Sequence, residues 1–226
     1  MKQFSILLLL LIISITVSAQ ENTVVTSDFE TWSTIGLTKK LGNFKLTLDE
    51  SLRLNTNSTE IDKFFTDLGA SYKINKYIKL GTNYRFYRNK TKSGDYESQH
   101  RFSGDVKLSY ELKRFDFSYR IRLQNKDEDF YNSDLTDNNV YNFRNKIQID
   151  YNIKKSKFNP YASTELFRSF GGSQADYFNK IRFTIGSSYK IKKVGEIDFF
   201  YRIDNELNVS FPKTTYILGL GFTYKF

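Results

Sequence analysis

From about Phe29 to Phe226 the chain alternates large apolar and polar side chains with a period of two, in eleven successive stretches. That period belongs to a β-strand, whose successive side chains point to opposite faces. In "RFDFSYRIRLQ", Phe115, Phe117, Tyr119, Ile121 and Leu123 stand against Asp116, Ser118, Arg120, Arg122 and Gln124. "HRFSGDVKLSYEL" sets Phe102, Val106, Leu108, Tyr110 and Leu112 against Arg101, Ser103, Asp105, Lys107, Ser109 and Glu111. "YNFRNKIQIDYNI" and "FKLTLDESLRL" follow the same rule, except that Glu50 interrupts the apolar face of the second. Many stretches run 11 to 14 residues, against about five or six for a strand of an ordinary globular sheet.

The connections alternate in length. Short ones centre on Lys40, Lys76, Lys113, Lys155 and Lys192, at intervals of 36, 37, 42 and 37 residues. Long polar ones begin at Asn55, Asn89, Asn125 and Gly171. A hairpin repeated every 38 residues or so, tight at one end and loose at the other, predicts a transmembrane antiparallel up-and-down β-barrel. No domain boundary interrupts it, and Pro160 and Pro212 fall at strand starts, where a missing N–H is tolerated.

Aromatic residues gather at both strand ends. Tyr72, Tyr77, Tyr110, Phe115, Tyr151, Phe158 and Tyr189 flank the short turns, and Phe64, Phe86, Phe102, Tyr141 and Tyr177 lie toward the long loops. Two such rims match the interfacial girdles of a membrane barrel. A secreted sandwich or lipocalin-like barrel is the competing reading, but eleven long strands carry more wide rings than such an interior holds.

The first nineteen residues supply an address. Lys2 forms a charged n-region, Ile6–Val17 an apolar run of 12 residues, and Val17-Ser18-Ala19 a small-residue cleavage site before Gln20. The run is too short for a membrane helix and reads as a secretory signal peptide, residues 1–19. Its removal takes one Lys and no acid, leaving 33 bases against 25 acids. Cys is absent, which excludes disulfides, thiolate metal sites and lipidation at a cysteine. The negative mean hydropathy is compatible with a barrel, because only alternate residues face lipid.

At the carboxy end, "TTYILGLGFTYKF" places Tyr216, Leu218, Leu220, Phe222, Tyr224 and Phe226 on one face. This resembles the insertion signal of outer-membrane proteins and implies recognition by the barrel-assembly machinery. Short turns on the periplasmic side make both the Phe29–Lys39 strand and the last strand descend. Antiparallel closure then requires one more strand, from Gln20 to about Asp28. Twelve strands are expected, with ten as the alternative.

"SAQ" at the cleavage site, "TWSTIGLTKKLGNFKLTLDESLRL", "YRFYRN" at Tyr84, "YASTELF" at Tyr161 and the final "YKF" together resemble an uncharacterised family of outer-membrane barrels of the Bacteroidetes type, known only as a domain of unknown function. The resemblance covers residues 20–226 and implies a barrel in the bacterial outer membrane, with no established activity.

The polar face is the candidate lumen. Arg53, Arg85, Arg120, Arg122, Arg144, Lys146, Arg182 and Arg202 stand among Asp49, Asp105, Glu165 and Asp198. Two arrangements are open: cross-strand ion pairs that fill a narrow interior, or a surplus of bases lining a path for small anionic solutes such as acidic oligosaccharides. The first makes a structural or passive-transport protein, the second an anion-preferring channel. A lipid-modifying enzyme would need His100, the only histidine, whose parity with Phe102 faces it outward. The His-x-Ser step of such barrels is missing, since the sequence reads His100-Arg101-Phe102, with Ser98 preceding the histidine. No catalytic, metal or cofactor site is expected. The acids of "KDEDF" lack the glycine and spacing of a calcium loop. Bases at the short turns (Lys39, Lys40, Lys113, Arg114, Lys154, Lys155, Lys157, Lys192, Lys193) would meet anionic headgroups. The remaining bases are too dispersed for a nucleic-acid surface. A monomer surrounded by outer-membrane lipid is the expected state.

Overall fold

The computed structural model describes residues 25–90, 94–125, 141–171 and 176–226. The expected signal peptide and the "KDEDF" acids lie outside them. Eleven strands follow one another: β1 (Thr26–Leu41), β2 (Phe44–Asn55), β3 (Glu60–Lys73), β4 (Ile78–Lys90), β5 (Tyr96–Leu112), β6 (Phe115–Asn125), β7 (Tyr141–Tyr151), β8 (Phe158–Phe170), β9 (Tyr177–Ile191), β10 (Gly195–Glu206) and β11 (Lys213–Lys225). Each pairs antiparallel with the next, and the sheet closes into a barrel.

Closure corrects the expected count of twelve. An up-and-down meander with an odd number of strands brings its first and last strands together pointing the same way. β1 and β11 pair in parallel, from Thr26↔Lys213 to Thr38↔Lys225. Thirteen residue pairs occupy that edge of β1, so no further strand fits between them. Thr26–Asp28, assigned to an extra strand by the parity argument, begin β1 itself. A parallel ladder satisfies backbone donors and acceptors as an antiparallel one does, at slightly lower stability per residue. The even-number expectation therefore expresses a preference of bacterial barrels, not a hydrogen-bonding requirement.

The shortest strands have 11 residues; at about 3.3 Å per residue and a tilt of about 40° they rise roughly 28 Å. Outward-facing residues make an apolar belt over that height: Ile35 is 67% exposed, Ile147 60%, Ile185 62% and Leu220 55%. Register partners Phe44 and Tyr72 (ring centroids 4.7 Å apart), Phe115 and Tyr151 (4.9 Å), and Phe158 and Tyr189 (4.8 Å) form an aromatic rim beside the short turns. Toward the long loops the rim includes Phe64 with Tyr96, Tyr84 with Phe102 and Tyr141 with Phe170. Tyr177 does not join it. A register shift between Phe167 and Arg168 pairs Tyr177 with buried Ser169 and gives the exposed position to Phe178.

Glu50 points outward in the middle of β2, and the Thr66 hydroxyl on β3 donates to its carboxylate at 2.7 Å. The predicted insertion-signal residues Tyr216 to Tyr224 form the outward row of β11, and Phe226 continues it just past the strand, its N–H donating to Thr38 O at 3.1 Å. There Tyr224 and Phe226 stack at 6.0 Å, and Lys39 Nζ lies 4.8 Å over the Phe226 ring.

Candidate functional site

Inside the barrel, side chains long enough to cross the lumen form an aromatic and guanidinium layer. Trp32 of β1 and Phe200 of β10 both pair with Gly219 of β11. Phe200 lies across that glycine and meets Trp32 edge-on at 6.5 Å and 79°. A Cβ on Gly219 would sit 2.0 Å from Phe200 Cζ, so the arrangement depends on a bare backbone there. The indole Nε1 of Trp32 donates to Glu30 at 2.7 Å. Arg53 stacks 3.6 Å from the Trp32 ring and 4.8 Å from Phe65, with Arg202 at 4.9 Å and Arg182 at 5.5 Å from Trp32. β9, which carries Arg182, is separated from β1 by β10 and β11, so this contact passes through the interior rather than along the wall. Arg85 lies 3.8 Å from the Phe65 ring, and Arg144 and Arg182 lie 4.5 and 5.0 Å from Phe167. Tyr87 and Ile217 are fully buried beside them.

Carboxylates hold these guanidinium groups in place. Glu165, 3% exposed, accepts from Arg120 Nη2 at 2.7 Å and from Arg144 Nε and Nη2 at 3.0 Å each. Arg182 approaches it to 3.9 Å and makes a two-point contact with Asp204. Arg85 clasps Asp67 through two bonds of 2.8 and 2.7 Å. Arg122 donates to Asp105 from both Nε, at 3.1 Å, and Nη2. The planar fork of arginine matches a carboxylate at two points, which explains why the close pairs here use arginine, while Lys180 reaches Asp204 only at 3.6 Å. Asp198 accepts instead from the Tyr161 hydroxyl at 3.1 Å.

The candidate lumen residues thus divide. Arg85, Arg120, Arg122, Arg144 and Arg182 converge on Asp105, Glu165 and two further acids of the polar face, Asp67 and Asp204. Arg53 and Arg202 join the aromatic layer, and Arg202 Nε also donates to Thr184 at 3.0 Å. Lys146 sits between Arg120 and Glu165 in the ladder and makes no ion pair among the described residues. Asp49 lines a cavity on the short-turn side.

That cavity, of about 380 Å³, extends from Lys45, Ser71 and Lys79 near the short turns to Asp67, Arg85 and Arg122 at mid-barrel. A second, of about 350 Å³, lies along β5–β9 and is lined by Glu111, Asp116, Gln148, Asp150 and Lys190, with Lys107 common to both. Five neighbouring strands contribute a base to one inner row, Lys73↔Lys79↔Lys107↔Arg120↔Lys146.

Trp32, Phe65, Tyr87, Phe167 and Phe200 were not among the candidate residues, yet their parity gives them away. Each lies two positions from an inward polar residue: Thr34, Asp67, Arg85, Glu165 and Arg202. Attention to the polar members of the face hid its aromatic ones. His100 faces outward, with its Nδ1 2.6 Å from the Tyr84 hydroxyl and its ring beside Phe86. No cluster of three or more metal-ligating side chains occurs among the described residues.

No curated protein matches the chain. Among solved structures it is similar to the β domain of the Bordetella autotransporter Brka, with 12% identity over 79% of this chain and 82% of that one and a TM-score of 0.49. The model of a family described as a protein of unknown function (DUF2490) matches residues 29–213, and the chain belongs to that family.

Proposed function

We propose that the protein is a bacterial outer-membrane β-barrel with a closed interior, a structural envelope protein without catalytic activity. The apolar belt between two aromatic rims supports the membrane setting, since a closed barrel leaves no backbone edge in hydrocarbon. In this setting the short turns face the periplasm, the barrel-assembly machinery inserts the chain, and the monomer is surrounded by lipid. The observation that carries the closed interior is the chain of contacts from Phe65 through Arg53, Trp32, Arg182 and Phe167 to Arg144. Side chains held by both stacking and two-point ion pairs do not move aside for a solute at little cost. His100 acts as an interfacial polar residue whose ring nitrogen is held by Tyr84.

Planar-bilayer recording of the refolded protein tests this. The wild type is expected to be silent, and Trp32→Ala with Phe200→Ala to give unitary currents. Steady anion-selective current from the wild type would refute closure. It would also establish the second reading, an anion-preferring channel for small acidic solutes. The unpaired lysine row on the short-turn side favours that reading.

A further inference from the structure

The row Lys73, Lys79, Lys107, Arg120, Lys146 sets like charges directly opposite one another on five adjacent strands. Such pairs are destabilising, and closure of the upper interior gives no reason to keep them. Among the described residues, Lys79 and Lys107 make no ion pair. Arg120 uses Nη2 on Glu165, but its Nε is buried without a hydrogen-bond partner. All three line the same cavity of about 380 Å³, within the size range of small-molecule sites. Of the six bases that line the cavity, Arg85 and Arg122 are taken up by Asp67 and Asp105 and Arg120 by Glu165. The ammonium groups of Lys79 and Lys107, which act as point charges suited to phosphate oxygens, have no such partner among the described residues.

We propose that this cavity binds a compact, multivalent, soluble phosphate, held by Lys79 and Lys107 with the charge of Arg120 behind them. Its position inside the polar lumen selects against lipid headgroups, whose acyl chains would have to enter beside Asp49 and Asp67. The proposal goes beyond the closed-lumen reading and is tested without a membrane, so the conductance result does not decide it.

The experiment is calorimetric titration of the full-length protein, folded in zwitterionic micelles, with pyrophosphate. Saturable binding that weakens with added salt is expected. Lys79→Gln with Lys107→Gln should lower affinity by about a hundredfold or more, each lysine supplying a charge-assisted bond worth roughly a factor of ten or more. The variant keeps every ion pair described above, and heat-modifiable migration confirms that it is folded. Lys192→Gln with Lys193→Gln, at an exposed short turn, should leave affinity unchanged. Absence of wild-type binding would overturn the proposal, as would equal binding by the lumen variant or an equal loss in the turn variant. Succinate binding as tight as pyrophosphate binding would overturn the phosphate assignment. Displacement of pyrophosphate by phosphatidylglycerol in the micelles would overturn the soluble source.

Discussion

Replacing Glu165 by Gln isolates the electrostatic part of the closed interior, because size and shape are kept while the charge is lost. Three arginines face that carboxylate, and they are left in unequal positions. Arg182 retains its two-point contact with Asp204, and Arg144 retains Gln124 at 3.0 Å. Arg120 retains no carboxylate. Its side chain is 22% exposed, against 4% for Glu165, so water reaches it in part. Removing one partner of a buried pair costs about 3–5 kcal/mol. The remaining partners of Arg182 and Arg144 place this case near the lower end, at about 3 kcal/mol. Urea unfolding of the refolded protein in micelles, followed by linear extrapolation, measures it. Arg144→Met in the Glu165→Gln background should recover part of the loss, since it removes a cation left short of countercharge. A double-mutant cycle should give a coupling of about 1 kcal/mol or more. A loss below about 1 kcal/mol for Glu165→Gln, with no coupling, would show that water solvates these groups and that the network does not seal the lumen.

Gly219→Ala places a methyl group against the Phe200 ring; overpacking should lower stability by about 1–3 kcal/mol in the same unfolding assay, and Phe200→Leu should relieve it. Glu50→Leu replaces an outward carboxylate in the apolar belt and should raise stability by about 1 kcal/mol, carboxylates on a lipid face costing less than the roughly 2–4 kcal/mol of Lys or Arg. The parallel seam predicts that Ser33→Cys with Leu220→Cys, register partners in a chain without native cysteine, forms a disulfide on mild oxidation, read as a mobility shift. A twelfth strand between them would separate the two positions by nearly 10 Å, twice the spacing of adjacent strands, and leave them uncrosslinked.

How far the sequence reveals this molecule depends on the range of the interaction concerned. Alternation is local, so Phe115 to Gln124 could be divided into two faces from the residues alone, and the structure puts Asp116, Arg120 and Arg122 inside. Strand pairing followed from turn spacing. Closure did not, because it joins residues nearly two hundred positions apart and no local pattern distinguishes a parallel from an antiparallel seam. Tyr177 was misplaced for a related reason. A register shift beside Phe167 changes the face of everything beyond it, and the shift lies in the pairing rather than in the composition. Glu50 was visible as a break in an apolar face, and its Thr66 partner could not be found without the register.

Arginine and lysine share the inner face and one of its cavities but make different contacts there, and the difference follows from their chemistry. Arg85, Arg144 and Arg182 stand where a carboxylate on a neighbouring strand offers two oxygens, Arg122 directs two N–H groups at one oxygen of Asp105, and Arg53 stands where an indole offers a face. A guanidinium can satisfy itself in either setting with little water. Lys45, Lys79 and Lys107 stand where the lumen widens into a cavity near the short turns. There an ammonium group keeps hydration that a packed layer would strip away. The long-loop half of the interior is therefore fixed by stacking and ion pairs, whereas the short-turn half keeps a cavity in which bases outnumber acids. If the lumen is closed as proposed, a solute that enters from the short turns meets charge before it meets the aromatic layer, which is the arrangement the proposed phosphate site requires.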